Sequence, residues 1–539
     1  MILLSALAAV GFLTGTVSAN VLGTGYRMVP PPLTDDRGSG LRKRLTGQGE
    51  FQQLIDHAHP ELGTFPQRFW WSDEFYAGSG SPVIFFTPGE SAADQYTGYL
   101  TNRTITGLFA QAVGGAVVML EHRYWGTSSP YDRLTTKNLQ YLTLENSILD
   151  TTNFANNAPL PFDRNGTSAA SKAPWVFSGG SYSGALSAWT HARAPGTFWA
   201  HHASSAVVEA VGDFWHYFHP IQQGMPQNCS ADVSAVIEHV DSVLKTGSEE
   251  EKQALKERFG LGDVVHDDDF AGALENGPWL WQSHDFDSGY SGFFEFCNYV
   301  ENMWFGSNTT APGPDGVGLS KALEGYAKWT SEVLVPGYCA NYGYWRYPDD
   351  VGCFDTYNAS SPFFSDIALD NVIDRQWNWF LCNEPFKYWQ DGAPAGVPTL
   401  VSRLIDEAYW ERQCALFFPP EDGFTYGIGE GRDVDEVNEA TGGWTRVDNT
   451  TRLLWVNGEF DPWRDATVSS VFRPGGPLES TTRAPVYVIP GGIHCSDLIA
   501  ANGMVNAGVQ KVINEEVAVI KGWVESFYSE RRSAGKTDE

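Results

Sequence analysis

Apolar residues in this chain fall into two kinds of run. PVIFF (82–86), GAVVML (115–120), PWVFS (174–178) and SSAVVEAV (204–211) are short and continuous. They read as strands buried on both faces, because a strand with one wet face alternates apolar and polar positions. Between them LENSILDTTNF (144–154) places Leu144, Ile148 and Phe154 near one helical face, with Thr143 as a candidate cap. Strand–helix–strand alternation predicts a parallel sheet covered by helices.

The pattern changes after residue 215. Residues 231–258 are predicted to be helical, with Val233, Val236, Ile237, Val240 and Leu244 on one face; the chain is then aromatic-rich and loop-rich to residue 425. Continuous apolar runs return as RLLWV (452–456) and PVYVIP (485–490), followed by an amphipathic helix through Val505, Val509, Ile513, Val517, Ile520 and Val524. The reading is one α/β sheet interrupted by a large, mainly helical insertion, without internal repeats. The expected segments are 1–19 (signal peptide), 20–49 (propeptide or linker), 50–214 (first part of the core), 215–425 (insertion) and 426–539 (second part of the core).

Composition narrows the class. A chain of 539 residues, 42% hydrophobic and 19% charged, is globular. Its net charge of -30 argues against a nucleic-acid partner, which is held by Lys and Arg on phosphates. The N-terminal MILLSALAAVGFLTGTVSAN has the apolar run and small-residue end of an export signal cut after Ala19, and no later stretch approaches a membrane span. The expectation is a secreted protein without a membrane partner, a vacuolar or lysosomal destination ranking second. LRKR (41–44) reads equally as a processing site or as a basic linker. Asn102, Asn165, Asn228, Asn308, Asn358 and Asn449 stand in N-x-S/T sequons, candidate glycosylation sites in an exported chain. Six of the seven cysteines, Cys229, Cys297, Cys339, Cys353, Cys382 and Cys414, lie in the insertion, where disulfides are expected with the pairing open; Cys495 stands apart. No C-x-x-C or H-E-x-x-H pattern points to a metal, and no cofactor is expected.

Candidate chemistry sits at one corner. WVFSGGSYSGALSAW (175–189) runs from a strand into a helix through Gly179-Gly180-Ser181-Tyr182-Ser183-Gly184. A serine on so tight a turn is held strained and exposed, and the following amide, Tyr182, opens a helix where an oxyanion would form. A glycine- and serine-rich turn without chemistry is the bland alternative; the flanking strand and helix favour the nucleophile. A serine needs a base, and the base an orienting acid. RLLWV leads into NGEFDPWRDA, offering Asp461 with Glu459 and Asp465 as alternatives; PVYVIP leads into GGIHCSDL, offering His494 with Asp497 as a neighbour.

Together GGSYSGALSAW, EHRYWGTSSP (121–130), NGEFDPW (457–463), GGIHCSDL (491–498), GTFPQRFWW (63–71) and FFTPGES (85–91) resemble the proline-specific serine peptidases: lysosomal prolyl carboxypeptidase, dipeptidyl peptidase II and the fungal acid prolyl endopeptidases, with the secreted fungal members nearest. The resemblance spans residues 50 to 525 and implies an α/β-hydrolase core with a helical cap. It implies cleavage after proline, in some members alanine, of a peptide or protein substrate, as carboxypeptidase or endopeptidase. Carried over, Ser181 is the nucleophile, Asp461 the acid and His494 the base. Gly89, in the loop after an early strand, is the second oxyanion donor; Glu90 matches an acidic residue near the substrate terminus. QWNWFLCNEPF (376–386) matches the aromatic segment bordering the proline pocket, making Trp377 and Trp379 candidates, with core packing the alternative for each. The rival readings are a lipase or carboxylesterase on the same fold, and a non-catalytic hydrolase-like binding protein. Oligomeric state is not legible. The resemblance also implies activity in acid, which requires burial to lower the His494 pKa further than Asp461 raises it.

Overall fold

A computed structural model describes residues 46–284, 291–304, 306–307, 310–446 and 450–534. The export signal, LRKR, Asn308 and Asn449 lie outside the described residues. The described residues form ten strands: β1 (Thr46–Leu54), β2 (Thr64–Ser72), β3 (Val83–Phe86), β4 (Ala116–Leu120), β5 (Trp175–Gly180), β6 (Ala200–Ser204), β7 (Val211–Asp213), β8 (Lys387–Trp389), β9 (Leu453–Gly458) and β10 (Val486–Ile489). Eight make one sheet in the order β1-β2-β4-β3-β5-β6-β9-β10; β7 and β8 pair separately. The β1–β2 and β2–β4 pairs are antiparallel and the remaining pairs of the large sheet parallel. This is an α/β-hydrolase sheet, as expected.

Every residue of β3, β4, β5, β6 and β9 is buried, which is why apolar runs rather than alternation mark most of them. On one face Phe85, Trp175 and Phe177 pack with Phe154 and Phe198; on the other Ile84, Val176, Leu454 and Val456 pack with Phe109, Ile513 and Ile520. The chain goes from β3 to β4 on one side and reaches β5 on the other, so the strand order reverses at β3. Crevices at such reversals, beyond the carboxyl ends of the strands, are where open α/β sheets bind ligands. The ends of β3 and β5 carry the 87–91 loop and Ser181.

The structure corrects several boundaries. β1 begins at Thr46 and pairs with β2 along its length, so the sheet starts inside the expected linker, 20–49. The fourth apolar run, 204–211, is not one strand: β6, in AHHAS, ends on its first residue, Ser204, and the short β7 begins on its last, Val211. The β6 imidazoles are buried because each has a partner: His201 Nδ1 lies 3.2 Å from Ser187 Oγ, and His202 Nδ1 2.9 Å from Ser178 Oγ. The helix expected over 231–258 is two, Gln227–Thr246 and Glu249–Arg258, broken where Ser248 and Glu251 cap each other. The C-terminal helix is Ala507–Ala534, and Val505 ends a separate short helix, since the Asn506 side chain accepts from the amides of Gly508 and Val509. Thr143 does cap Leu144–Asn157.

Between β6 and β9 the chain is mainly helical. It carries three disulfides, Cys229–Cys297, Cys339–Cys353 and Cys382–Cys414; Cys495 is buried and free. No helix of the described residues is long and apolar enough to cross a membrane. Asn102, Asn165 and Asn358 are exposed, and Asn228 is half-buried.

Candidate active site

Ser181 follows β5 and precedes the helix Tyr182–Arg193, with φ 57° and ψ -129°. A non-glycine residue held there stores strain of order 1–3 kcal/mol, which the surroundings must maintain. They do so by close approach. The Ser181 amide donates to Ser204 O of β6 at 2.9 Å. A Cβ on Gly179 would stand 2.2 Å from Ser183 O, so only glycine lets the strand enter the helix this steeply. Ser183 Oγ donates to Thr87 O at 2.6 Å, tying the elbow to the loop after β3.

The acid and base arrive on neighbouring turns. Asp461 follows β9 and His494 follows β10; both are buried, and His494 Nδ1 lies 2.8 Å from Asp461 Oδ1. The Trp463 amide donates to the same oxygen at 2.9 Å. An Asp461 carboxylate therefore holds the proton on Nδ1 and leaves Nε2 as the acceptor. Gly458 permits the two turns to meet, since a Cβ there would lie 2.5 Å from Ile493 O. The Cys495 amide donates to Ser205 Oγ at 2.9 Å, so the His494 turn rests on the same end of β6 as Ser181.

Each alternative acid has another partner. Asp465 Oδ2 lies 3.0 Å from His219 Nδ1, Glu459 Oε2 accepts from the Gly491 amide at 2.7 Å, and Asp497 Oδ1 accepts from Ser204 Oγ at 2.6 Å. Of the four carboxylates considered, only Asp461 is bonded to His494.

Burial is the largest single influence on His494 and opposes its charge, but the facing Asp461 carboxylate and the neighbouring Cys495 together outweigh it, and the pKa stands well above the ordinary 6.5. This corrects the expectation that burial would win: the imidazole and its carboxylate are buried together, so the cation is desolvated beside its counter-charge.

The other candidates separate. Tyr182 is buried and its hydroxyl meets His122 Nε2 at 3.0 Å, while His122 Nδ1 faces Arg123 O at 2.9 Å. Desolvation pushes His122 down to about 4, so it is neutral and accepts the Tyr182 hydrogen. The Tyr182 amide opens its helix, where no intrahelical acceptor exists. Gly89 lies against Tyr182 and Ser183 with φ 69°, but its amide faces Thr87 Oγ1 at 3.3 Å, a long bond that an oxyanion would have to displace. Glu90 is half-buried, and burial raises its carboxyl to about 7, with its own backbone amide and His494 pulling it down and Asp374 pushing it up. Trp377 packs on the Tyr182 ring at 5.5 Å. Trp379 does not reach this region: it is buried, donates to Leu142 O at 3.0 Å and packs on Phe418, which makes it a core residue.

Of the pocket beside Tyr182, sequence reading named only Trp377. Trp377, Leu381, Tyr388, Trp389 and Trp410 line it from the helical segment and Trp463 from the turn after Asp461. The Trp463 ring is 6.4 Å from that of His494. The signal lay in DPW, a tryptophan two residues beyond the candidate acid, but tryptophans are too common in this chain for one to stand out.

The family model described as serine carboxypeptidase S28 matches residues 52–275. Serine protease vicPb of Bipolaris victoriae (strain FI3) is 45% identical over 488 residues, 90% of each chain. A probable extracellular serine carboxypeptidase of Arthroderma benhamiae is 29% identical over 85% of this chain and 64% of its own. The lysosomal Pro-X carboxypeptidase of Bos taurus is 23% identical over 88% of each. With near-full-length identity at this level to a serine protease, and the family model matching across the elbow, the chain belongs to the S28 family of serine peptidases.

Proposed function

We propose that this peptidase is exported and cleaves peptide bonds after proline through an acyl-enzyme on Ser181. His494 Nε2 takes the Ser181 proton as Oγ attacks the carbonyl, and the Asp461 carboxylate stabilises the imidazolium. The Tyr182 amide and an amide of the 87–91 loop, Gly89, receive the oxyanion. The imidazolium then protonates the leaving amine; water, deprotonated by the same nitrogen, releases the acid. The observation that carries the reading is the bonded Asp461–His494 pair and the strained Ser181, both tied to the same end of β6.

Proline fits the adjoining pocket. Its ring is compact, apolar and already rigid, so a slot walled by Trp377, Trp389 and Trp463 gains contact area at little cost in lost freedom. In this role the helical segment is a cap that contributes most of the pocket, and the substrate is a peptide or protein. In this reading Glu90 meets a substrate terminus: charged above about pH 7 it would attract an ammonium, and protonated below it would donate to a carboxylate. Three disulfides suit an oxidising, extracellular destination; Asn102, Asn165, Asn358 and Asn228 are the described sequons for glycosylation there.

Mass spectrometry of products from a peptide library with free and blocked termini tests the reading. Cleavage after proline is expected, with alanine slower. A preference for bulky or basic residues would remove the proline specificity. Short-ester hydrolysis without cleavage of any proline peptide would remove the peptidase mechanism proposed here. Comparing blocked with free termini separates endopeptidase from exopeptidase action.

A further inference from the structure

Below the elbow lies a second cluster that the hydrolytic chemistry does not use. His202 of β6, Asp497 of the turn after His494, and Glu516 of the C-terminal helix converge, with exposures of 0, 1 and 0%. His202 Nε2 is 3.4 Å from Asp497 Oδ2 and 3.6 Å from Glu516 Oε2. Neither contact is a hydrogen bond: His202 Nε2, Asp497 Oδ2 and both Glu516 oxygens are buried without a hydrogen-bonding partner. A shared proton would draw such atoms together to roughly 2.7 Å. Separations near 3.4 Å are instead what two ligands show across a tetrahedral ion that each binds at about 2.0–2.1 Å.

We propose that His202, Asp497 and Glu516 hold a divalent cation of the zinc class. The surrounding bonds suit ligation. Ser178 Oγ, 2.9 Å from His202 Nδ1, can accept its hydrogen and leave the Nε2 lone pair for the metal. Ser204 Oγ occupies Asp497 Oδ1 at 2.6 Å and turns Oδ2 inward. No spacing motif announces the site because its ligands come from three distant elements. Its position gives it a task. The Ser204 carbonyl receives the Ser181 amide, and Asp497 is three residues past His494, so the ion would clamp β6, the His494 turn and the C-terminal helix together.

The test uses the full secreted protein from zinc-supplemented medium, dialysed against EDTA, with metals counted by inductively coupled plasma mass spectrometry. About one zinc per chain is expected to survive dialysis, because a buried ion leaves only when the structure opens. Glu516→Gln, which keeps shape and removes charge, should retain under a tenth of that, and protein from chelated medium should melt several degrees lower. Should Glu516→Gln not be secreted, zinc-edge absorption of the wild type must show only N and O neighbours. Sulfur neighbours, metal-free folded wild type with equal Tm from both media, or full zinc in Glu516→Gln would each overturn the site.

Discussion

The sheet and the helical segment between β6 and β9 are stabilised in different ways. The sheet's inner strands are buried along their whole length, and its two faces are continuous apolar clusters. The helical segment holds all three disulfides; buried carboxyls without a hydrogen-bonding partner occur in both regions, at Glu275, Glu301 and Asp391 in the segment and at Glu516 against the sheet. A sheet can rely on apolar burial because its backbone groups pair within it. A helical segment rich in short helices and turns has less regular pairing, and here cross-links and protons supply what burial does not. The site draws on both regions, with strained and charged groups on the sheet and the apolar wall on the segment.

The largest expected effect isolates the sheet's contribution. Ser181→Ala should lower kcat by about 10³–10⁶ with little change in Tm, and His494→Ala should lower kcat as much with some loss of Tm, since it leaves the buried Asp461 carboxylate unpaired. Asp461→Asn should be nearly as severe because the acid fixes the His494 tautomer. Asp465→Asn should be mild, as that carboxylate serves His219. A crippled Asp465→Asn beside an active Asp461→Asn would reverse the assignment.

The next effect isolates the segment. Losing Cys229–Cys297, which closes a separation of 68 residues, should cost about 2–4 kcal/mol, with the shorter Cys339–Cys353 link, 14 residues, costing less. Limited proteolysis of the partly reduced protein should cut between β6 and β9 first. Cuts that begin in the sheet region would break the contrast between the two.

Smaller still is an effect on specificity. Trp377→Ala opens the pocket wall beside Tyr182 and should raise KM for proline peptides several-fold more than kcat falls. Trp379→Ala, in the core, should lower Tm instead.

The same contrast governs what the sequence revealed. Strands β3, β4, β5 and β9 were legible because burial on both faces writes continuous apolar runs, and β10 because its run is apolar although it stands at the sheet edge with Val488 exposed. The order of Ser181, Asp461 and His494 was legible because each follows such a strand. β6 was not, since hydrogen bonds let His201 and His202 stand where apolar residues would. The rest of the pocket and the His202 cluster were illegible for a related reason: their members are far apart in the chain, and only the fold makes them neighbours. Trp377 and Trp379 looked alike two residues apart, yet helical geometry turns one toward Tyr182 and the other into the core.

The two regions should also answer pH in opposite directions. In the helical segment burial raises Asp269 to about 6, Glu301, facing Asp232, to about 8 and Asp391, facing Asp213, to about 10. Unfolded, these carboxyls titrate near 4. Between those limits the native state binds protons that the unfolded chain has released, so their stability contribution is complete below about pH 4 and fades as pH rises through 6, 8 and 10. Each adds a slope of roughly 1.4 kcal/mol per pH unit where it titrates differently in the two states. Tm should therefore be highest in acid and fall toward pH 9, and Glu301→Gln should flatten the decline. Catalysis has the reverse requirement. His494 accepts a proton only when neutral, and its pKa is raised, so kcat/KM on a blocked proline peptide should fall as pH drops, with a midpoint above 6.5. Asp461→Asn, which removes the charge favouring the imidazolium, should move that midpoint down. A kcat/KM peak below pH 6 in the wild type would overturn the raised His494 pKa, because kcat/KM reports the titration of the free enzyme and substrate binding does not move it.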